Sequence, residues 1–158
     1  MSGVAGEPPD ISPRGDSAGF VRVTDGDILQ LPDRRGNNRA DTLHNVLREA
    51  SIMLVFFKVG ENSFLCVEGK AKINTAPQVL KSFEFNGTVP RSVLNITPHA
   101  VQMQRSWAFE AARLWDPDPN QKGKDFQFGA VLAQQVGEGI DPDAQQEDVR
   151  MQYSTKLY

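Results

Sequence analysis

The densest group of side chains that could do chemistry lies in residues 33–39, which read Asp-Arg-Arg-Gly-Asn-Asn-Arg. The segment leads into a predicted amphipathic helix. Arginine binds phosphate through bidentate, charge-assisted hydrogen bonds, and the free N–H groups at a helix N-terminus add positive potential. Gly36 lets the backbone approach an anion closely. We therefore predict a phosphate pocket around the three guanidinium groups of Arg34, Arg35 and Arg39.

A second interpretation of this segment stays open: a solvated turn in which Asn37 or Asn38 caps the following helix.

Another polar element, Ser12-Pro-Arg-Gly-Asp16, stands just ahead of the first predicted hairpin. Its Arg-Gly-Asp tripeptide matches an integrin-type motif, but the chain shows no secretory signal. A turn that contacts a ligand is the favoured interpretation of residues 12–16.

Other common chemistries find no support in the sequence. His44 and His99 have no partner at metal-ligand spacing, so no metal site is predicted. The chain carries no Gly-x-Ser-x-Gly motif, P-loop or dinucleotide fingerprint. Cys66 is the only cysteine, which excludes an intrachain disulfide, and its place in an apolar run predicts a buried, inert thiol.

Length and composition predict one ordinary soluble domain. The chain has 158 residues, a formal net charge of -3 and 39% hydrophobic residues, enough apolar side chain for a core. A mildly acidic balance gives no general attraction to nucleic acid or anionic membranes. The longest apolar run, Ile52 to Phe57, is far shorter than the roughly twenty residues that cross a bilayer. We expect a cytoplasmic protein without nucleic-acid or membrane partners.

The pattern along the chain predicts about five strands in antiparallel hairpins. Phe20–Thr24 and Ile28–Leu31 alternate on either side of Asp25-Gly26, a strong turn dipeptide. A polar loop over residues 32–38 and a helix over 39–50 follow. The remaining expectations are a second hairpin over 52–57 and 63–73, a short helix over 76–84, a strand from 92 past Pro98 toward 104, a helix over 107–115, a surface loop over 116–124, and helices over 130–136 and from 143 onward.

These elements predict a mainly β fold, a small closed or split β-barrel with helices, since closure protects the edges of antiparallel strands. A flat sheet covered by helices is the alternative. The predicted organisation is an extended lead-in over residues 1–18, a barrel domain over 19–117 and a helical extension over 118–158. We expect this extension to pack on the barrel or on a dimer partner.

Several ordered motifs resemble one family. Residues 9–20 read Pro-Asp-Ile-Ser-Pro-Arg-Gly-Asp-Ser-Ala-Gly-Phe, and residues 32–45 read Pro-Asp-Arg-Arg-Gly-Asn-Asn-Arg-Ala-Asp-Thr-Leu-His-Asn. Together with residues 65–71, 90–93, 113–117 and 156–158, they resemble the pyridoxamine 5'-phosphate oxidase-like flavoproteins, which are FMN-binding split β-barrels. The resemblance spans nearly the whole chain.

The resemblance implies a homodimer with FMN bound between the subunits and a small-molecule substrate. In such proteins the flavin performs the hydride or electron transfer, while the protein binds and orients it. No catalytic residue is assigned. The residues that match the phosphate-binding segment are Arg34, Gly36, Asn37, Asn38 and Arg39, and those that match the flavin-side strand are Ser12 and Arg14.

The chain also departs from its relatives. They usually open with a helix and a first strand ahead of the Pro-Asp-x-Ser element, where this chain has only residues 1–8, so one barrel strand is expected to be absent. Relatives tend to carry Arg in place of Cys66, and Cys, Lys and an Arg-Ser pair in place of Arg105, Trp107 and residues 111–112. Three hypotheses follow: an FMN-dependent oxidoreductase, a flavin-binding module without turnover, or a degenerate structural dimer that has lost tight FMN binding.

Overall fold

The computed structural model describes residues 1–36, 40–116, 128–136, 139 and 141–155, which divide into two compact units over 1–115 and 116–158. The first unit is mainly β. Its elements are β1 (Arg22–Val23), β2 (Leu29–Asp33), α1 (Asp41–Arg48), β3 (Ser51–Phe57), β4 (Ser63–Asn74), α2 (Pro77–Ser82), β5 (Ser92–Arg105) and α3 (Trp107–Ala111). The second unit holds α4 (Phe128–Val136) and α5 (Pro142–Thr155).

The strands form one antiparallel sheet in the order β1-β2-β5-β4-β3. The predicted closure into a barrel is not found among the described residues, because β1 and β3 lie at opposite ends of this order. β1 is only two residues long, so it offers too little backbone for further pairing. The mainly β class and both predicted hairpins are confirmed, and the sheet is open.

The two long central strands bend at a bulge. Gly69 lies opposite Pro98 and Glu68 lies opposite Ala100, so His99 is the extra residue of β5. A β-carbon on Gly69 would lie 2.6 Å from the carbonyl oxygen of Thr97, a distance that no side chain tolerates. The bulge therefore requires glycine at position 69, since only glycine permits so close an approach of two strands.

The core lies between α1 and one face of the sheet, and four strands, β2 to β5, contribute to it. The buried apolar side chains that form it are Leu31, Val46, Ile52, Ala71, Leu94 and Ile96. Leu43 packs against this group from α1, whereas Leu47 is exposed. The apolar spacing thus predicted the helix correctly, but α1 presents Leu43 and Val46 to the core and leaves Leu47 outside.

The N-terminal residues fold back over α1 and the edge of β3. Ser2 and Asp10 exchange two backbone hydrogen bonds, which close a loop over residues 2–10. The side chain of Thr42 donates to Asp10 (2.9 Å). Arg48 donates two hydrogen bonds to Glu7 at 2.9 Å and 2.6 Å, and these bonds lower the pKa of the Glu7 carboxyl. The loop is thereby attached to both ends of the helix.

An aromatic cluster holds α3 against the far end of the β3–β4 hairpin. The ring centroids of Phe57, Phe64 and Phe109 lie 5.6 to 5.9 Å apart, and Trp115 meets Phe109 edge-on at 6.3 Å. The indole N–H of Trp115 donates to the carbonyl of Glu61 (2.7 Å). Trp107 is exposed, and the guanidinium of Arg105 lies over its ring.

The two helices of the second unit cross closely at a glycine. Gly129 is buried, and its N–H donates to the side chain of Gln146 (3.0 Å). A β-carbon at this position would lie 2.0 Å from the carbonyl oxygen of Pro142. In the part of the chain that the structure describes, no helix is long and apolar enough to cross a membrane.

Candidate functional site

The candidate site lies where β2 ends. The strand runs through Pro32 to Asp33, further than the predicted loop boundary. Proline has no N–H group, so in a strand it removes one hydrogen bond to the neighbouring strand unless its nitrogen faces a side where no strand is paired. The pairing with β1 stops at Gln30, so Pro32 lies past the last β1 pair and costs no hydrogen bond there. The extended strand carries Arg34 to the point where the chain turns toward α1.

Two reciprocal ion pairs join the end of β2 to residues 14–16. The Arg14 guanidinium donates to the Asp33 carboxylate at 2.7 Å, and the Nε–H of Arg34 donates to the Asp16 carboxylate. Each segment therefore supplies one cation and one anion. The Asp16 carboxylate is only 4% exposed and the Arg34 side chain 14%, so this second pair is largely shielded from water.

Arg34 is fixed by two further contacts, and its partner Asp16 by one. Its Nη2 donates to the carbonyl of Phe83 (3.2 Å), and its guanidinium lies 5.5 Å from the ring centroid of Phe85. The Asp16 carboxylate that pairs with it also accepts the N–H of Ser17 (2.7 Å). A guanidinium held on several sides loses little further conformational entropy when it binds an anion.

A second arginine, Arg22, lies over the ring of Phe83. The Arg22 guanidinium is 3.9 Å from the ring centroid of Phe83, a favourable cation–π distance. Phe83 is fully buried and follows α2, so it links β1 and the end of β2 to that helix. The arrangement stabilises the position of the backbone carbonyl that accepts from Arg34.

The other predicted site residues have different surroundings. Arg35, Gly36 and Ser12 are exposed. Gly36 has open space around it and no positive φ, so its backbone conformation does not demand glycine. Asn37, Asn38 and Arg39 lie outside the described residues. The structure thus brings together Arg14 and Arg34 of the predicted set.

The start of α1 has no side-chain cap. The helix begins at Asp41 with Ala40 at the capping position, and among the described residues Ala40 makes no side-chain cap hydrogen bond. Asp41 adds a negative charge to this first turn. The alternative that Asn37 or Asn38 caps the helix concerns residues outside the described part, but the observed cap position falls later, at Ala40.

Two acidic residues of the site were missed from the sequence. The motifs that contain Asp16 and Asp33 do not by themselves mark these residues as partners of the arginines. The signal available was charge complementarity, because Arg-Gly-Asp and Asp-Arg place opposite charges in an order that can pair reciprocally. With Arg14, Arg34 and Arg35 the site keeps one net positive charge.

A buried hydroxyl lies beside the same strand end. Ser92 is directly opposite Asp33 in the β2–β5 ladder and is 5% exposed. Its Oγ has no hydrogen-bond partner among the described residues. A buried polar atom without a partner destabilises a fold, so the hydroxyl marks a position where packing is not optimised for stability.

Comparisons with known proteins add no assignment to this geometry. The chain matches no protein-family profile, and no curated protein matches it.

Proposed function

We propose that the chain is an FMN-binding flavoprotein of the pyridoxamine 5'-phosphate oxidase-like class, a cytoplasmic oxidoreductase acting on a small substrate. Arg34 would hold the FMN phosphate together with Gly36, Asn37, Asn38 and Arg39, and Ser12 and Arg14 would lie on the flavin side. The observation that carries the proposal is the fixed guanidinium of Arg34 at the end of β2, beside the arginine-rich turn into α1.

The donor set at this position suits a phosphate monoester. A guanidinium has five N–H donors. Within the described residues Arg34 uses one on Asp16 and one on Phe83, so three N–H groups have no partner there and can bind an anion. Asp16 holds the guanidinium by its Nε edge, so the carboxylate orients the group without occupying all of its hydrogen-bonding positions.

The roles of the chain and of the flavin are separate in this proposal. FMN, when bound, supplies the hydride or electron transfer. The residues of this chain bind and orient it: the arginines contact the phosphate, and the two aspartates hold the arginines in place. Fold resemblance alone does not identify a substrate, so the proposal names only a small molecule and no particular compound. The resemblance further implies a homodimer with FMN at its interface.

The ion pairs favour a second candidate, a flavin-binding or structural dimer that has lost tight FMN binding. Both Arg14 and Arg34 already have a carboxylate partner. A phosphate must then bind against two nearby negative charges, which weakens its attraction. This candidate predicts FMN binding without turnover, or no FMN binding at all.

The decisive experiment is the visible absorption spectrum of the purified protein, followed by titration of the flavin-free form with FMN. Arg34→Ala and Arg39→Ala should each weaken FMN binding about tenfold to a hundredfold, because a charge-assisted hydrogen bond is lost. Arg48→Ala is the matched control, since Arg48 is also ion-paired but lies at the other end of α1. Unchanged FMN affinity in both site variants would contradict the phosphate assignment.

A titration with riboflavin distinguishes the contribution of the phosphate contacts from that of the rest of the pocket. It lacks the phosphate, so its affinity should change little in Arg34→Ala and Arg39→Ala. A colourless protein that binds neither FMN nor riboflavin would favour the degenerate dimer. A protein that binds FMN but is not reduced by nicotinamide or substrate would favour the binding module.

A further inference from the structure

The Ser92 hydroxyl lies within reach of one ion pair of the candidate site. Asp33 and Ser92 form the end pair of the antiparallel ladder that joins β2 to β5. Directly opposed side chains of such a ladder lie on the same face of the sheet, with β-carbons about 4.5 to 5.5 Å apart. At that separation, rotation about side-chain single bonds lets the hydroxyl donate to the carboxylate. The backbone pairing therefore fixes a serine beside the aspartate.

This hydrogen bond is not made in the structure. The Asp33 carboxylate accepts from Arg14 at 2.7 Å, whereas the Ser92 Oγ has no partner among the described residues. A guanidinium adds attraction between opposite charges to its hydrogen bond, so Arg14 outcompetes a neutral hydroxyl for the carboxylate. Ser92 is only 5% exposed, so its hydroxyl cannot bond to bulk water instead. Asp33 therefore has a second donor beside it that it does not use.

Of the two arginines in the site, Arg14 is the one that can change partners. Arg34 is held by the Asp16 carboxylate and by a backbone carbonyl. Among the described residues Arg14 has one hydrogen-bond partner, Asp33, and its side chain is 28% exposed. Residues 12–18, which include Arg14, form no helix or strand. A single, partly exposed ion pair contributes little stability, so a bound anion can draw Arg14 away from Asp33.

The departure of Arg14 would leave the Asp33 carboxylate without its cation. The Asp33 side chain is only 18% exposed, so its charge would be largely buried and unpaired. Removing one member of a buried ion pair is strongly destabilising for this reason. A hydroxyl that donates to the carboxylate restores part of the lost stabilisation, because hydrogen bonds to charged groups are stronger than those between neutral groups. Ser92 is placed to make that bond.

We propose that Ser92 is a positioning residue of this site, and that its hydroxyl takes over the Asp33 carboxylate when Arg14 turns to bound FMN. This inference rests on the proposed function. Ser92 contacts no ligand in the exchange; it acts through Asp33 and lowers the free-energy cost of releasing Arg14. Asp33 thus has two alternative partners, Arg14 in the flavin-free protein and Ser92 in the complex with FMN.

Titration of the flavin-free protein with FMN tests the role of Ser92 in binding. Ser92→Ala should weaken FMN binding about tenfold, because the carboxylate that Arg14 releases then has no donor. Ser63→Ala makes the same substitution at the start of β4, opposite Arg105, and should leave the FMN affinity unchanged. Equal FMN affinity of the wild type and Ser92→Ala overturns the proposal.

A second background distinguishes positioning from a purely structural effect. In Asp33→Asn no charge is left behind when Arg14 turns away. Ser92→Ala in that background should therefore change the FMN affinity by about twofold or less, since the effects of two residues in one contact are not additive. Tenfold weakening in both backgrounds would show that Ser92 does not act through the Asp33 charge, and would overturn the proposal.

A measurement without flavin tests the exchange itself. In the otherwise wild-type protein the hydroxyl has no described partner, so Ser92→Ala should raise Tm by about 2 to 4 °C. In an Arg14→Ala background the Asp33 carboxylate is free to accept from Ser92, and the same substitution should lower Tm. Packing at position 92 alone does not reverse the sign of the effect. The same sign in both backgrounds overturns the exchange.

The two measurements separate this proposal from the flavin assignment. Wild-type protein that binds FMN, with no change in affinity in Ser92→Ala, overturns the role of Ser92 and supports the flavin assignment. Wild-type protein that binds no FMN contradicts the flavin assignment, and the role of Ser92 in binding fails with it. The reversal of the Tm effect then still shows whether the Ser92 hydroxyl and the Asp33 carboxylate pair when Arg14 is removed.

Discussion

Arg34 and Asp16 form an ion pair in which the carboxylate is almost completely buried, although both residues belong to segments that look like surface loops in the sequence. Residues 12–18 contain no regular element, and the pair is one of the contacts that attach them to the sheet. A carboxylate in such a position contributes both to the fold and to the position of the guanidinium.

We predict that Asp16→Ala destabilises the protein by about 3 kcal/mol, because removing one member of a buried pair leaves the other charge buried and unpaired. Chemical denaturation measures the loss. Glu7→Ala is the control, since the Glu7–Arg48 pair is bidentate like a strong ion pair but is exposed to solvent. The control should lose clearly less stability. Equal losses in the two variants would show that burial of the Asp16 carboxylate does not matter.

Gly36→Ala separates the fold from the proposed anion site. Gly36 has open space and an ordinary backbone conformation, so alanine should fit. The free energy of unfolding of the variant should equal that of the wild type within about 0.5 kcal/mol, or exceed it slightly. If an anion approaches the backbone there, the added methyl group should weaken FMN binding. Thermal denaturation measures the stability of the variant, and titration with FMN measures its flavin affinity. Weaker binding accompanied by a comparable loss of stability would argue against a direct effect at the site.

Gly69→Ala should be strongly destabilising. The new methyl group would meet the carbonyl of Thr97 and the side chain of Ile96 in the centre of the sheet, where neither backbone can move alone. We expect a loss of about 2 kcal/mol or more, as for overpacked cores. Gly26→Ala, in a turn with open space and no positive φ, is the matched control and should change little. Urea midpoints of the two variants provide the comparison.

Ser92→Ala should stabilise the protein. The buried hydroxyl has no partner among the described residues, and its removal relieves a desolvation cost of about 1 kcal/mol. Differential scanning calorimetry would detect the gain as a higher Tm. Ser92→Val, which fills more volume at the same position, distinguishes relief of a polar cost from improved packing. A lower Tm for Ser92→Ala would mean that the hydroxyl has a role in the folded protein.

Much of the fold could be predicted from local patterns. Asp25-Gly26 predicted the first hairpin, and the structure confirms it, with Asp27 adopting the positive φ that the turn requires. The apolar run from Ile52 predicted β3 correctly. The strand predicted past Pro98 is confirmed to Arg105. The pairing of β5 with β2 ends at Ile96, so the missing N–H of Pro98 costs no hydrogen bond to β2.

What local patterns could not supply is the long-range arrangement. Barrel closure depends on whether two outer strands meet, and neither β1 nor β3 carries that information in its own residues. The site shows the same limit: Arg14 and Arg34 were identified as cations, but their pairing with Asp33 and Asp16 depends on two segments about twenty residues apart coming together. Their role in flavin binding stays a prediction.

The strand order has a consequence for synthesis on the ribosome. β5 lies in the middle of the sheet but is the last of the five described strands to be made. Until it emerges, β2 can pair only with the two residues of β1, and the β3–β4 hairpin has no connection to them. A nascent chain that stops before residue 92 therefore exposes two separate half-sheets, and the first unit can complete its fold only after β5 has left the exit tunnel.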